Sequence, residues 1–388
     1  MSHRQSFAEV NLAHLKHNSE LMYEISGRPK FFCPMVKANA YGHGDVQVAK
    51  ALVGPKVSHL GVGLVEEAIR LRENNIRAPL LSFGMFDPVS CSAIIENDII
   101  PVISDLPELE FLNEKLSKLP NRRLKIHLKF NTGMNRLGAN ISDADRILRF
   151  LRDNRKFQLE GICTHFLNGE DAGDPEGQSA VQLKKFFEVD EKFREFPHFI
   201  HALNSSAAAN FFLRKKNNKV NMPTRFSELG VRPGISLYGG QVTTQESGSL
   251  DLRPVMSLKS KIALLHSVSK GEVVSYGARW KAEKDSLIGV VPIGYADGYY
   301  RNLSNSGEVL CHGSKLPVIG TVCMDYFMID LTSIAFHKKI QKGDEVILFG
   351  KQNDTQILAS DLAQKVGTIS YEVLARISGR VPRVYVAA

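Results

Sequence analysis

Eight short apolar runs, separated by segments patterned as amphipathic helices, occupy roughly the first 240 of the 388 residues. The runs fall at 31–36, 59–64, 79–84, 99–103, 124–130, 159–165, 199–203 and about 229–235. Helical patterns lie between them at 45–53, 65–74, 106–119, 142–152 and 179–193, and one more, 10–24, precedes the first run. Strand–helix alternation implies parallel strands joined by helical crossovers. Eight such units match the size of a (β/α)8 barrel. An open doubly wound sheet competes with it, and periodicity does not separate the two. After Tyr238-Gly239-Gly240 the texture changes: 241–252 is polar and turn-rich, and β-branched runs with short glycine turns follow. The expected architecture is therefore a TIM-type barrel over 1–240 and a mostly antiparallel β domain over 241–388.

Composition narrows the function classes. A hydrophobic fraction of 43% and a charged fraction of 23% are those of a globular protein, and no run approaches the ~20 apolar residues that span a bilayer. The first ten residues lack the apolar core of a signal peptide, so the cytoplasm is the expected location. Five scattered cysteines, Cys33, Cys91, Cys163, Cys311 and Cys323, suggest neither a disulfide framework nor a zinc site. The net charge of +8 is spread along the chain, and its densest cluster, from Arg214 to Lys219, reads as a solvated loop. Without an aromatic-interleaved basic patch, nucleic acid is not the expected partner. Attraction for anionic small molecules is the better use of that charge.

The residues that bear chemistry recur at one kind of place. Lys37 follows the first run, in Val36-Lys37-Ala38-Asn39-Ala40-Tyr41-Gly42-His43-Gly44. Asn131-Thr132-Gly133-Met134-Asn135-Arg136 follows the fifth run, His165 ends the sixth, Asn204-Ser205 follow the seventh, and Arg232-Pro233-Gly234-Ile235 lies in the eighth. On parallel barrel strands all of these converge on the C-terminal mouth, where barrel enzymes do chemistry. Taken alone, Lys37 reads as a surface lysine beside a βα turn. At a buried strand end it is partly desolvated, its pKa falls, and a neutral amine is what Schiff-base chemistry requires. The loops after strands seven and eight are a usual phosphate site, and here they offer the Ser205 hydroxyl and the bare backbone of Gly234. A lysine beside a phosphate site suggests pyridoxal phosphate, and an enzyme of phosphosugars would show the same pair.

The chain resembles the pyridoxal-phosphate alanine racemases over nearly its whole length. The resemblance rests on the Lys37 motif, Thr132-Gly133-Met134-Asn135-Arg136-Leu137-Gly138 and Val231-Arg232-Pro233-Gly234-Ile235-Ser236-Leu237-Tyr238-Gly239. In the second half it rests on Ser275-Tyr276-Gly277, Gly294-Tyr295-Ala296-Asp297-Gly298, Cys323-Met324-Asp325 and Arg380-Val381-Pro382-Arg383-Val384-Tyr385. It implies a head-to-tail homodimer with shared active sites that interconverts L- and D-alanine, supplying D-alanine for peptidoglycan. Lys37 would hold the cofactor as a Schiff base and act on one face of the substrate Cα, with Tyr276 of a second copy acting on the other. Inversion by proton removal needs such a pair, and lysine and tyrosine serve near neutral pH when their pKa values are lowered.

The remaining roles come from the same resemblance. Arg232 would bond the cofactor's ring nitrogen, and because arginine does not readily release a proton, the ring would be a weaker electron sink and transamination disfavoured. His165 would support the ring. Tyr41, Ser205, Gly234, Ile235 and Tyr371 would form the phosphate cradle. Arg136, Met324 and Asp325 would bind the substrate carboxylate, and Asp171, Tyr295, Arg301 and Ile369 would line a narrow access path. Alternation in Ile126-His127-Leu128-Lys129-Phe130 puts His127 and Lys129 on one face. A bare ammonium inside a barrel is costly, and Lys129 is expected to be carbamylated and to orient Arg136. Asn131 stands where the family commonly has aspartate and Asn135 where glycine is common, and asparagine tolerates the left-handed turn this requires.

Two further patterns carry less. Gly61-Val62-Gly63-Leu64-Val65-Glu66 begins like a dinucleotide fingerprint but places glutamate at the third glycine position. His198 and His201 are spaced so that a strand turns them to opposite faces, which argues against a shared metal. A broad-specificity racemase, a decarboxylase of the same two-domain build and a non-catalytic pyridoxal-phosphate barrel are the rival readings.

Overall fold

The computed structural model describes residues 4–216, 228–241 and 250–387. Most of the polar stretch expected as a linker and the end of the basic cluster lie outside the described residues. The chain divides into two compact units, one formed by Leu15–Ala40 and Asp45–Leu252, the other by Met1–His14, Tyr41–Gly44 and Arg253–Ala388.

The first strand of the chain, β1 (Phe7–Asn11), is where the expected boundaries differ from the structure. It belongs to the second unit, pairing antiparallel with β9 (Met256–Lys261) and parallel with the last strand, Arg383–Val386. The reason is legible in its side chains: Ala8 and Val10 are buried while Phe7, Glu9 and Asn11 are half-buried, the period of two of a strand. Asn11 then caps the helix Leu12–Ile25, its Oδ1 accepting from the Ala13 and His14 amides at 2.9 and 3.0 Å. The helical pattern expected from residue 10 thus begins two residues later.

The barrel unit carries seven strands in sequential parallel order: β2 (Leu60–Val62), β3 (Leu80–Ser82), β4 (Ile99–Ile103), β5 (Leu124–Lys129), β6 (Phe157–Cys163), β7 (Phe199–Leu203) and β8 (Gly230–Val231). Residues 31–36 close the ring. Phe32 bridges to Val231 on one side and Met35 to Gly61 on the other, both parallel. The Cys33 amide donates to the Val231 carbonyl at 2.8 Å and the Val36 amide to that of Gly61 at 2.7 Å. Pro34 has no N–H, which breaks this edge into bridges rather than a continuous ladder. Closure removes the open-sheet alternative. Phe31, Cys33, Leu81, Ile100, Val102 and Cys163 pack together as one buried cluster.

In the second unit a ten-stranded sheet runs Leu264–Val268, Ser286–Val291, Phe327–Asp330, Ser314–Ile319, Glu308–Cys311, Glu345–Gln352, then β9, β1 and Arg383–Val386, with Thr355–Ile357 paired to Glu345–Gln352. Every pairing is antiparallel except that of β1 with the last strand. Among the described residues no helix is long and apolar enough to cross a membrane.

Gly42 and Gly44 are required by local packing. Both have positive φ, +86° and +94°, and a Cβ on Gly42 would lie 2.1 Å from the Leu374 carbonyl oxygen. A Cβ on Gly44 would lie 1.8 Å from the Tyr385 hydroxyl. These glycines let residues 41–44 pack into the second unit. Gly42→Ala should therefore lower unfolding free energy by about 2 kcal/mol, combining left-handed strain with a backbone clash. Urea denaturation with an unchanged midpoint and slope would contradict this account.

Candidate active site

Lys37 opens an unusual turn. Ala38, Asn39, Ala40 and Tyr41 all adopt left-handed φ, 52° to 53°, and the Ala40 amide donates to the Val36 carbonyl at 2.8 Å. Left-handed helical backbone costs about 1–2 kcal/mol per non-glycine residue, so the turn persists only because its surroundings hold it. Glu67 is the main support. Its carboxylate accepts from the Ala38 amide at 2.6 Å and, through the other oxygen, from the Gly63 and Leu64 amides at 2.7 and 3.2 Å. Asn39 Oδ1 accepts from the Asp45 amide at 3.1 Å. The Lys37 side chain reaches solvent, yet surrounding protein strips part of its hydration. That desolvation, then the Arg136 and Arg232 charges, push its pKa below the ordinary lysine value, with Glu67 opposing.

Arg232 lies beneath the mouth, 5% exposed. Its Nη1 donates to His201 Nδ1 at 2.7 Å, and its Nη2 faces the Thr164 carbonyl at 2.9 Å, His165 Nδ1 at 3.2 Å and the Ala202 carbonyl at 3.3 Å. Among the described residues no carboxylate pairs with it, and no acceptor takes its Nε–H. Burial and then the Arg232 charge lower the His165 pKa to about 3, with Lys129, Arg136 and Lys37 adding to the shift. Lys129 ends β5 and is buried. Burial pushes its pKa down, and Arg232, Arg136 and Lys37 push the same way; only Cys163 opposes. The loop before the exposed Arg136 is tied by Asn131, whose Oδ1 accepts from the Gly133 and Asn135 amides at 3.1 and 3.0 Å. Asn135 takes φ 56°, the left-handed conformation this turn requires.

Ser205 starts the helix Ser205–Lys216 directly after β7. Its Oγ accepts from the Gly234 and Ser236 amides at 2.9 and 3.3 Å and from the Ser236 hydroxyl at 2.9 Å. A helix start with convergent amides and hydroxyls is suited to a phosphate. In the other unit, Tyr41 packs 6.1 Å from Tyr371, ring centroid to centroid, and burial raises both phenol pKa values.

The second unit gathers the remaining residues on connected loops. Ser275, at φ 69°, donates to the Thr321 carbonyl at 2.8 Å, and Thr321 Oγ1 donates to the Tyr276 carbonyl at 2.7 Å. This buttress presents the Tyr276 side chain to solvent at 75% exposure. The Tyr295 and Ala296 amides donate to the Cys323 and Met324 carbonyls at 3.0 and 3.1 Å, so Tyr295 and Met324 share that loop cluster. Asp325 pairs with Arg380 at 2.6 Å. Arg301 and Ile369 are exposed. Asp171 is engaged elsewhere: its carboxylate accepts from the Gln178 and Ser179 amides at 2.9 and 3.3 Å, holding the start of a helix. Gln182 on that helix ties the loops after β5 and β6, donating to Thr132 Oγ1 at 3.3 Å and to the His165 carbonyl at 3.1 Å. Glu67 and Gln182 were not singled out in the sequence because each acts by folding back on backbone that no motif marks.

A closed barrel whose mouth joins a partly desolvated lysine, an anion cradle and a buried guanidinium with one free donor fits an aldehyde, a phosphate and a ring nitrogen. That is the site of a pyridoxal-phosphate barrel enzyme. The family model "Alanine racemase, N-terminal domain" matches residues 10–242, and "Alanine racemase, C-terminal domain" matches 255–385. Alanine racemase of Geobacter sulfurreducens is 37% identical over 391 residues, covering 99% of this chain and 98% of the relative. That of Thermodesulfovibrio yellowstonii is 39% identical over 383 residues, covering 98% and 97%. Among solved structures, alanine racemase of Clostridium difficile 630 superposes with a TM-score of 0.87 at 32% identity, covering 100% of this chain and 97% of that one. The Bacillus anthracis alanine racemase with bound L-Ala-P gives 0.84 at 30% identity, covering 100% and 96%. The chain belongs to the alanine racemase family, pyridoxal-phosphate-dependent isomerases that interconvert L- and D-alanine.

The buried imidazoles set a pH dependence. His127, fully buried, has a pKa lowered to about 4, chiefly by burial, and His165 is at about 3. Unfolded histidines titrate near pH ~6.5, so below that pH the unfolded chain takes up protons that the folded chain refuses. Stability is complete above ~6.5 and falls as the pH drops toward about 4, by about 1.4 kcal/mol per pH unit for each histidine. Urea denaturation at about pH 7.5, 6 and 5 should show this decline, and a flat profile would contradict it.

Proposed function

We propose that this chain racemises alanine by a two-base mechanism at sites shared between two head-to-tail copies. The observation that carries the reading is Lys37, a partly desolvated amine at the barrel mouth whose charged form is disfavoured by burial and then by the Arg136 and Arg232 charges. Bound pyridoxal phosphate supplies the aldehyde that Lys37 holds and an electron-withdrawing ring that acidifies the substrate Cα. Ser205, Gly234, Ile235, Tyr41 and Tyr371 would hold its phosphate, and Arg232 and His165 its ring. Arg232 can only donate, so the ring nitrogen would remain unprotonated. Arg136, with Met324 and Asp325, would hold the substrate carboxylate. Because the Asp325 carboxylate already pairs with Arg380, its share of that site would come from its backbone. Asp171, Tyr295, Arg301 and Ile369 would narrow the access path, Asp171 by holding its helix in place.

Lys37 reaches one face of the substrate Cα, and inversion needs a proton donor on the other. Tyr276, exposed on a buttressed loop beside a depression lined by Val268, Val274, Ile288 and Met328, suits that task when supplied by a partner copy. Lys129 supports a further part of the reading. It is surrounded by Arg136, Arg232 and Lys37 and has no acid beside it among the described residues. Carbamylation would convert it to the anion that this cluster lacks and let it orient Arg136. The cytoplasmic location and the supply of D-alanine to peptidoglycan belong to the same reading as expectations.

Exchange of the α-proton in deuterated water, followed across a panel of amino acids, tests the class. Exchange confined to alanine from both enantiomers is expected. Tyr276→Phe should lower turnover about 10²- to 10⁴-fold, the scale of a lost general acid–base group, with the cofactor still bound. Undiminished turnover would overturn the two-base mechanism. Borohydride reduction should fix the cofactor on Lys37, and recovery on another lysine would refute that assignment. Intact-mass measurement under native conditions should find one added CO2 on Lys129, and an unmodified ammonium would end the carbamate reading.

A further inference from the structure

Below Arg232 the barrel interior holds a line of polar groups running away from the mouth. His201 Nε2 lies 2.7 Å from His127 Nδ1. His127 Nε2 lies 3.5 Å from Glu160 Oε2, which also meets His59 Nε2 at 3.0 Å. The other Glu160 oxygen accepts from Lys125 Nζ at 2.6 Å. Both His127 and His201 are completely buried. The fold makes room for them: a Cβ on Gly161 would lie 2.2 Å from His127 Nδ1, and one on Gly230 would lie 2.9 Å from His201 Cβ. The Phe31 ring stacks on His201 with centroids 4.2 Å apart and planes 11° apart.

Hydrogen-bond polarity in this line is determined from both ends. Arginine only donates, so His201 Nδ1 must accept from Arg232 Nη1, and the His201 proton must sit on Nε2. That proton can go only to His127 Nδ1, which leaves the His127 proton on Nε2, 3.5 Å from the Glu160 carboxylate and outside hydrogen-bond geometry. Glu160 can complete the line only as a carboxylate. Burial raises its pKa, but hydrogen bonds from His59 and Lys125 and the nearby His127 outweigh this and hold it well below the usual carboxylate range. Burial and the Arg232 charge keep His201 neutral, and burial lowers His127 to about 4. The line therefore joins a fixed cation to a fixed anion through two neutral rings.

The same polarity decides a competing use of these residues. His59, His127 and Glu160 bring one ligand atom each within 4.8 Å of one another, a spacing that could hold a metal ion. A metal on His127 Nε2 would move its proton to Nδ1, which would then donate to His201 Nε2. The His201 proton would be forced onto Nδ1, against an Arg232 N–H at 2.7 Å. Two donors would face each other inside the barrel, so the cluster is built for a proton and not for an ion.

We propose that Glu160 is a positioning residue for Arg232, fixing the tautomers of His127 and His201 so that the guanidinium is locked with its Nε–H free for the mouth. Its consequence for catalysis rests on the reading of Arg232 as the donor to the cofactor ring nitrogen. Neutron diffraction from deuterium-exchanged crystals of the full chain with its cofactor tests both parts. Deuterons are expected on Nε2 of His127 and of His201, with Glu160 bare. A deuteron on Nδ1 of either ring, or zinc bound among His59, His127 and Glu160 after soaking, would overturn the relay. With the expected tautomers, an Arg232 Nε deuteron pointing away from the cofactor ring would instead refute the reading of Arg232. In the holoenzyme, Glu160→Gln should lower kcat about tenfold, the scale for losing an outer partner of a functional group. The KM for alanine should stay within about twofold, and the absorption band of the bound cofactor should shift. An unchanged kcat and band would overturn the positioning role, and if this variant fails to fold, the neutron map of the unsubstituted chain still decides.

Discussion

Arg232 is a permanent cation enclosed in a barrel with no carboxylate beside it among the described residues, and the rest of the interior is organised around that fact. A buried charge without partners is among the costliest features a fold can contain. Here the guanidinium is met by two carbonyl oxygens and two imidazole nitrogens, all neutral. Burial is the largest cause of the shifts around it, and its field adds to those of the neighbouring bases. His165 and His201 are driven to the neutral state, and Lys37 and Lys129 are driven toward theirs.

Strain is concentrated where the chemistry is expected. Four left-handed residues follow Lys37, and their order depends on a carboxylate from the next unit of the barrel. Glu67 binds backbone on both sides of the β2 loop and on the Lys37 turn, so one side chain joins the first two strand ends at the mouth. Gly42 and Gly44 then fix the exit of that turn in the second unit, where Leu374 and Tyr385 leave no room for a side chain. Held at both ends, the turn fixes the Lys37 backbone before any ligand arrives, which is the preorganisation a reacting amine needs.

The barrel could be read from the sequence because each strand is a continuous apolar run, a signal that survives without tertiary context. The first strand of the second unit could not, because its five residues are short, alternate weakly and run directly into a helix whose pattern is stronger. Its partners, Met256–Lys261 and Arg383–Val386, lie more than two hundred residues away. The mouth residues Lys37, Arg136, His165, Ser205 and Arg232 were visible as polar interruptions at strand ends. Glu67, Gln182 and Glu160 were not, since each works through backbone or through another side chain, and a glutamate on a helix or an edge reads as solvated surface. Asp171 shows the reverse case: a position that the resemblance placed by an access path spends its carboxylate on a helix start.

The proposed need for a second base follows from the reaction's symmetry. Racemisation must treat both faces of one carbon alike, whereas a single lysine can serve only one. In the proposed site the loops after strands seven and eight would be taken up by the Ser205 cradle, which leaves the second base to come from elsewhere. A tyrosine carried on a separate β unit avoids that conflict. Its loop is fixed by the Ser275 and Thr321 hydrogen bonds rather than by packing of its ring, which keeps the phenol exposed until another surface covers it. On this argument the exposure of Tyr276 is the structural counterpart of the desolvation of Lys37. In the proposed mechanism each would be half of an acid–base pair that one copy of the chain would not complete alone.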